Sequence, residues 1–74
     1  MNRYEKILKI FSERLKDLLD ERNLSIKKFA EDIKIPRTTI NNWILQIKSP
    51  KIYYVCEIAD YFGVTTDYLL GREN

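Results

Sequence analysis

Residues 25–45 read SIKKFAEDIKIPRTTINNWIL, and the spacing of apolar residues in this stretch decides the architecture of the chain. Ser25 suits the cap of a helix, because its hydroxyl can accept from one of the first amides, which lack an intrahelical partner. Phe29, Ala30 and Ile33 then recur at helical spacing, as the buried stripe of a short helix. Lys34 interrupts that pattern. Pro36 has its φ preset for a first helical turn and pushes the preceding residue toward extended backbone, so another helix is expected to start there after a connection of about three residues. Two helices joined so closely must cross at a steep angle.

The flanks read the same way. Upstream, Tyr4, Leu8, Phe11, Leu15, Leu18 and Leu19 recur at steps of three and four, which predicts an amphipathic first helix ending near Arg22. Asp17, Asp20 and Glu21 fall on its solvated face, where nothing would orient or perturb them as a catalytic carboxylate pair. Downstream, Ser49 and Pro50 are expected to act as cap and first-turn proline of a fourth helix through Ile52, Val55, Ile58, Ala59 and Phe62, stopped by Gly63. Thr65 can cap a short fifth helix, with Asp67 in its first turn and Gly71 at its end. The expected fold is all-α, five helices in one compact domain over residues 1–74, with no linker, repeat or low-complexity tract.

Composition narrows the function. With 74 residues, 45% of them apolar and 32% charged, the chain is an ordinary small globular unit that buries only about 60% of its unfolded surface. One cysteine and no histidine exclude an internal disulfide and a zinc site of ordinary ligand count, which fits a reducing compartment. Cys56, inside the apolar run 52–56, is expected to be a small buried hydrophobe. Arg3, Glu5, Lys6 and Lys9 interrupt the N-terminus, so neither a signal peptide nor a membrane span is expected, and the protein should stay in the cytoplasm. No phosphate loop or metal-ligand cluster is present, so no cofactor is expected and an enzyme is disfavoured. The net charge of +2 is unevenly spread: residues 26–51 carry Lys27, Lys28, Lys34, Arg37, Lys48 and Lys51 against Glu31 and Asp32, whereas residues 52–74 are net acidic. A polyanion would meet the middle of the chain.

On a wheel at about 100° per residue with Arg37 at zero, Ile40 and Trp43 fall near 300° and 240°, a face to be buried. Arg37, Thr38, Asn41, Asn42 and Leu45 fall between about 0° and 140°. Apart from Leu45 that face can hydrogen-bond, and Arg, Asn and Thr suit base edges. Together with Leu24-Ser25, Phe29-Ala30-Glu31, Ile40-Asn41-Asn42-Trp43, Ser49-Pro50, the run from Ile58 to Val64 and the run from Asp67 to Gly71, this pattern resembles the phage-repressor family, the Cro and lambda-repressor-like (Xre-type) helix-turn-helix regulators, over nearly the whole chain.

The resemblance implies a lambda-repressor-like domain whose helix-turn-helix lies at about residues 26–45, with the third helix in the major groove. By position in the motif, Arg37, Thr38 and Asn42 match base-contacting sites. Ser25, Lys27, Lys28, Thr39, Asn41, Lys48, Ser49 and Lys51 are the expected backbone contacts, helped by helix N-termini. It also implies a transcriptional regulator, expected to be a repressor, that binds a pseudo-palindromic operator in double-stranded DNA as a homodimer, in a bacterial or phage-infected cell and associated with the nucleoid. Tyr68 and Leu69 are candidates for the dimer contact. The competing reading is a protein-interaction module, antitoxin-like or a phage accessory protein, with a protein partner or inhibitor.

Departures from the family pattern carry information. Ile26 stands where Gln usually braces the recognition helix or a phosphate. Lys34 replaces the usual turn glycine and, if its φ is positive, costs about 1 kcal/mol. Ile44, Leu45, Gln46 and Ile47 make the next loop unusually apolar. Ile44 and Ile47, near 340° and 280° on the wheel, are expected to turn toward the core, while Leu45, near 80°, should remain exposed as an apolar contact for a thymine methyl or a protein partner.

Overall fold

In the computed structural model, which describes residues 1–73, the chain forms five helices: α1 (Arg3–Glu21), α2 (Ile26–Ile33), α3 (Arg37–Ile44), α4 (Ile52–Phe62) and α5 (Thr66–Leu69). Asn74 lies outside the described residues. The Asn2 side chain opens α1, its oxygen accepting from the Glu5 amide at 2.8 Å while its Nδ2 donates to Glu5 Oε1 at 3.2 Å. Both groups of this cap are thereby used reciprocally. Leu8, Phe11, Leu15, Leu18 and Leu19 of α1 enter the core, and Ser12 is buried among them. Tyr4, expected on the same stripe, is instead 63% exposed, because its ring runs out beside the loop before α4, where its hydroxyl meets Ser49.

The α2–α3 unit follows its local rules closely. The Ser25 hydroxyl accepts from the Lys28 amide at 3.0 Å, as an N-cap should. Lys34 ends α2 in the left-handed region, at φ 60° and ψ 43°. Ile35 then turns inward and is buried. Pro36 sits one position earlier than expected: with ψ at 141° it is the N-cap of α3, its carbonyl accepting from the Thr39 and Ile40 amides at 3.1 and 3.2 Å.

Two expectations about α4 are corrected. It starts at Ile52 with Lys51 as its cap, so Ser49 and Pro50 lie before it, and the Ser49 hydroxyl bonds Tyr4 at 2.7 Å rather than capping a helix. Cys56 is exposed and Ile52 is 84% exposed. A helix turning about 100° per residue cannot bury a continuous apolar run, so Cys56 turns outward, while Ile52 shares the inner stripe by rotation but stands at the exposed first position of α4; of residues 52–56 only Val55 is buried, with Ile58, Ala59 and Phe62, and Tyr54 is half-buried. Gly63 stops α4 at φ 70°, and the Thr65 hydroxyl caps α5 by accepting from the Tyr68 amide at 2.9 Å.

One aromatic-rich core joins the helices. Phe29 of α2 stacks on Phe62 of α4 at 5.3 Å and meets the edge of Tyr61 at 5.3 Å. Trp43 of α3 lies edge-on to Phe11 of α1 at 6.2 Å and tilted against Tyr54 of α4 at 5.6 Å. Burying a ring of this kind contributes roughly 1.5–3 kcal/mol, so α3 is held chiefly by its inner face. The chain after α5 is drawn back onto α1: Arg14 donates to the carbonyls of Tyr68 and Glu73 at 2.7 and 2.9 Å. Gly71, at φ 77°, packs so closely on Ile10 that a Cβ would meet it at 2.7 Å.

Candidate nucleic-acid interface

The outward face of α3 is set by what its inward face buries. Ile40 is fully enclosed and Trp43 nearly so, and the helical repeat then turns Arg37, Thr38 and Asn41 to the outside, with Thr39 and Asn42 half-buried at its margins. The three predicted base-contacting residues, Arg37, Thr38 and Asn42, thus lie on one short helix whose sequence contains no acidic residue. Lys27 of α2 and Arg37 of α3 line one shallow hollow beside Glu31 and Pro36, at the junction of the two helices.

The predicted backbone-contacting residues divide by their present partners. Lys27, Lys48 and Lys51 are exposed and form no ion pair among the described residues. Lys28 is engaged: its Nζ lies 3.1 Å from Asp32 Oδ1, and the Tyr61 hydroxyl donates to Asp32 Oδ2 at 2.8 Å. The Tyr61 hydrogen bond, followed by Lys28, holds the Asp32 carboxyl below the usual carboxylate range. That carboxylate in turn raises the Lys28 ammonium and the Tyr61 phenol above their ordinary values. Lys28 therefore brings less free charge to this surface than its neighbour Lys27 does. Ser25 caps α2, Ser49 is bonded to Tyr4, and Asn41 makes no side-chain hydrogen bond among the described residues.

Beyond α3 the backbone leaves the helix through Gln46, at φ 61°. Leu45 is 67% exposed, as its place on the wheel predicted, and Ile44 is half-buried against the core. Ile47 departs from expectation at 63% exposed. Its wheel angle had no meaning once the helix ended at Ile44 and the left-handed residue reversed the chain. Of the two dimer candidates, Leu69 is fully enclosed and offers nothing to a partner, while Tyr68 is half-buried beneath the Arg14 guanidinium, 4.4 Å from its ring centroid. A short helix has room for one inward residue per turn, and α5 places Leu69 there.

Sequence reasoning missed the supports behind this surface. Ser12 of α1 donates to the Ile44 carbonyl at 2.7 Å, and Tyr4 meets Ser49 at 2.7 Å. One signal was present: a serine inside the apolar stripe of α1 must find a partner when buried.

A family model described as helix-turn-helix matches residues 15–69. The chain is 33% identical over 63 residues to the HTH-type transcriptional activator BcrR of Enterococcus faecalis, an alignment covering 85% of this chain and 31% of that protein. The chain thus spans about a third of that relative's length. No solved structure matches it. Among the described residues, no helix is long and apolar enough to cross a membrane.

Proposed function

This chain belongs to the helix-turn-helix family of DNA-binding transcription regulators, in its lambda-repressor-like branch, and from that premise we propose that it reads the major groove of a specific duplex site with α3. The observation that carries the reading is the outer face of α3, where Arg37, Thr38 and Asn42 share a helix free of acidic groups and flanked by unpaired lysines. Arg37 suits the O6 and N7 of guanine, Asn42 the N6 and N7 of adenine, and Thr38 either a hydrogen-bonding edge or a thymine methyl. Lys27, Lys48 and Lys51, with Ser25, Thr39, Asn41 and Ser49, hold the register on phosphates, and Lys28 contributes once released from Asp32.

The whole chain acts as one DNA-binding domain in the cytoplasm, two copies engaging a pseudo-palindrome because one recognition helix covers only a few base pairs. With Leu69 enclosed, Tyr68 is the one of the two candidates left with surface to offer a second copy. Occupancy of the operator represses, and a reporter assay reads the sign, since the similar protein BcrR is named as an activator.

Selection from a random duplex pool tests the reading. The chain should enrich one sequence, with a log-log salt slope of roughly −3 to −5 per monomer, as expected if about three to five phosphates are neutralised. Arg37→Ala should relax one base position at a cost of about 1–3 kcal/mol, whereas Lys48→Ala should weaken all sequences alike. A flat salt response together with no enriched sequence would leave the protein-interaction module as the better account, with the exposed Leu45 and Ile47 as its contact.

A further inference from the structure

The last four carbonyls of a helix have no partner within it, so each must be satisfied from outside. In α3 three of them are served by the chain that follows. The Asn41 carbonyl accepts from the Leu45 amide at 2.8 Å, that of Asn42 from Ile47 and Lys48 at 2.8 and 3.3 Å, and that of Trp43 from Gln46 at 3.0 Å. The fourth, on Ile44, accepts from the Ser12 hydroxyl at 2.7 Å, across the core from α1. Ser12 is 1% exposed, and among the described residues it makes the only side-chain hydrogen bond that α3 receives from another helix. The side chain of Ile26, at the start of α2, has no polar atom to give α3 a brace. Two turns upstream on α1, the Tyr4 hydroxyl meets Ser49 at the far end of the same loop.

We propose that Ser12 and Tyr4 are positioning residues for DNA recognition, a pair of hydroxyls on α1 that hold both ends of the loop leaving α3. The proposal rests on α3 being the DNA-reading helix. Lys48 and Ser49 lie in the loop, and Asn42 supplies the carbonyl on which the loop closes, so the register of one base contact and two backbone contacts passes through this segment. A displacement of about 1 Å in such a group forfeits a contact made at hydrogen-bond distance. The two hydroxyls differ in setting. Ser12 is itself buried and makes a part-buried bond, whose loss is costly, and Tyr4 acts from the surface, where water can replace its bond.

The test compares each variant's affinity for the duplex selected by the unaltered chain with its affinity for random duplex of the same length, well below the melting temperature. Ser12→Ala should lower that ratio about 3- to 10-fold, the loss expected when one net hydrogen bond no longer orders the reading surface. Tyr4→Phe should lower it by about 2-fold, its bond being open to water. Hydrogen exchange at the Ile47 and Lys48 amides should quicken in Ser12→Ala. A purely structural role would reduce the melting temperature and leave the ratio of the folded protein unchanged. Unchanged ratios in both variants overturn the proposal. Should Ser12→Ala not fold, Tyr4→Phe decides alone, since Tyr4 is 63% exposed and its ring remains. An unaltered chain that selects no sequence overturns the DNA reading itself, a failure distinct from that of the α1 clamp.

Discussion

The turn leading into α3, residues 34–36, is made from its own neighbourhood, whereas the loop leading out, residues 45–51, depends on a helix far upstream. On the way in, Lys34 takes the left-handed conformation, the Ile35 amide returns to the Ala30 carbonyl at 3.2 Å, and Pro36 supplies the extended residue before the helix. Every partner lies within six residues, so the turn could be read from a short window. On the way out, the bond that completes the end of α3 comes from Ser12, 32 residues away, and the bond at Ser49 from Tyr4, 45 residues away. Propensity rules see the first kind of junction and are blind to the second.

The largest expected effect sharpens this contrast from the inbound side. Ile35 is only 5% exposed, so Ile35→Ala should cost about 2–5 kcal/mol in thermal or denaturant unfolding, the range for an emptied core site. A cost below about 1 kcal/mol would mean that the turn is anchored by something other than Ile35. Next comes backbone strain, which both junctions share. Lys34 and Gln46 hold φ near 60°, where glycine is at ease, so Lys34→Gly and Gln46→Gly should each stabilise by up to about 1 kcal/mol. A loss on replacing Lys34 would show that its side chain contributes more than its backbone conformation costs.

Smaller effects are expected on the outbound side, away from the two clamps. Leu45→Ser and Ile47→Ser should each change stability by no more than about 0.5 kcal/mol while altering DNA or partner binding, because both side chains are exposed. A loss of several kcal/mol would place them in a packed interface and end the contrast. The smallest effect is the pH dependence of the Asp32 contacts on α2. The Asp32 carboxyl is depressed in the folded chain, so its stabilising share is present above the ordinary aspartate range and disappears as pH falls through the depressed value. Lys28 is raised, so its share is present below the ordinary lysine range and disappears as pH rises through the raised value. Asp32→Asn should flatten the acid limb of a stability profile slightly, since these groups are exposed and screened. An unchanged acid limb would show that the network adds nothing.

The local junctions explain why so much of the fold was legible. Ser25, Thr65 and Gly63 act where their side-chain chemistry or freedom of φ says they should, and the apolar spacing of α1 and α2 placed their buried faces. The readings that failed have separate causes. Ser49 reads as the cap of its nearest helix and bonds instead to Tyr4; Cys56 reads as buried from the hydrophobicity of its run and Ile52 from its spacing, although the rotation of α4 turns Cys56 outward and Ile52 stands at the exposed first position of the helix. Leu69 was offered to a partner because sequence spacing alone cannot tell which apolar residue of a four-residue helix the core will claim.

The sequence by itself determined the five helices, the helix-turn-helix and the polar face of α3, because caps, breakers and a 3.6-residue repeat act over distances shorter than one turn or two. The tertiary structure alone decided how the far end of α3 is finished, since the Ile44 carbonyl could be served by water, by the following chain or by any nearby hydroxyl. Only when α1 packs against α3 does the buried Ser12 lie 2.7 Å from that oxygen.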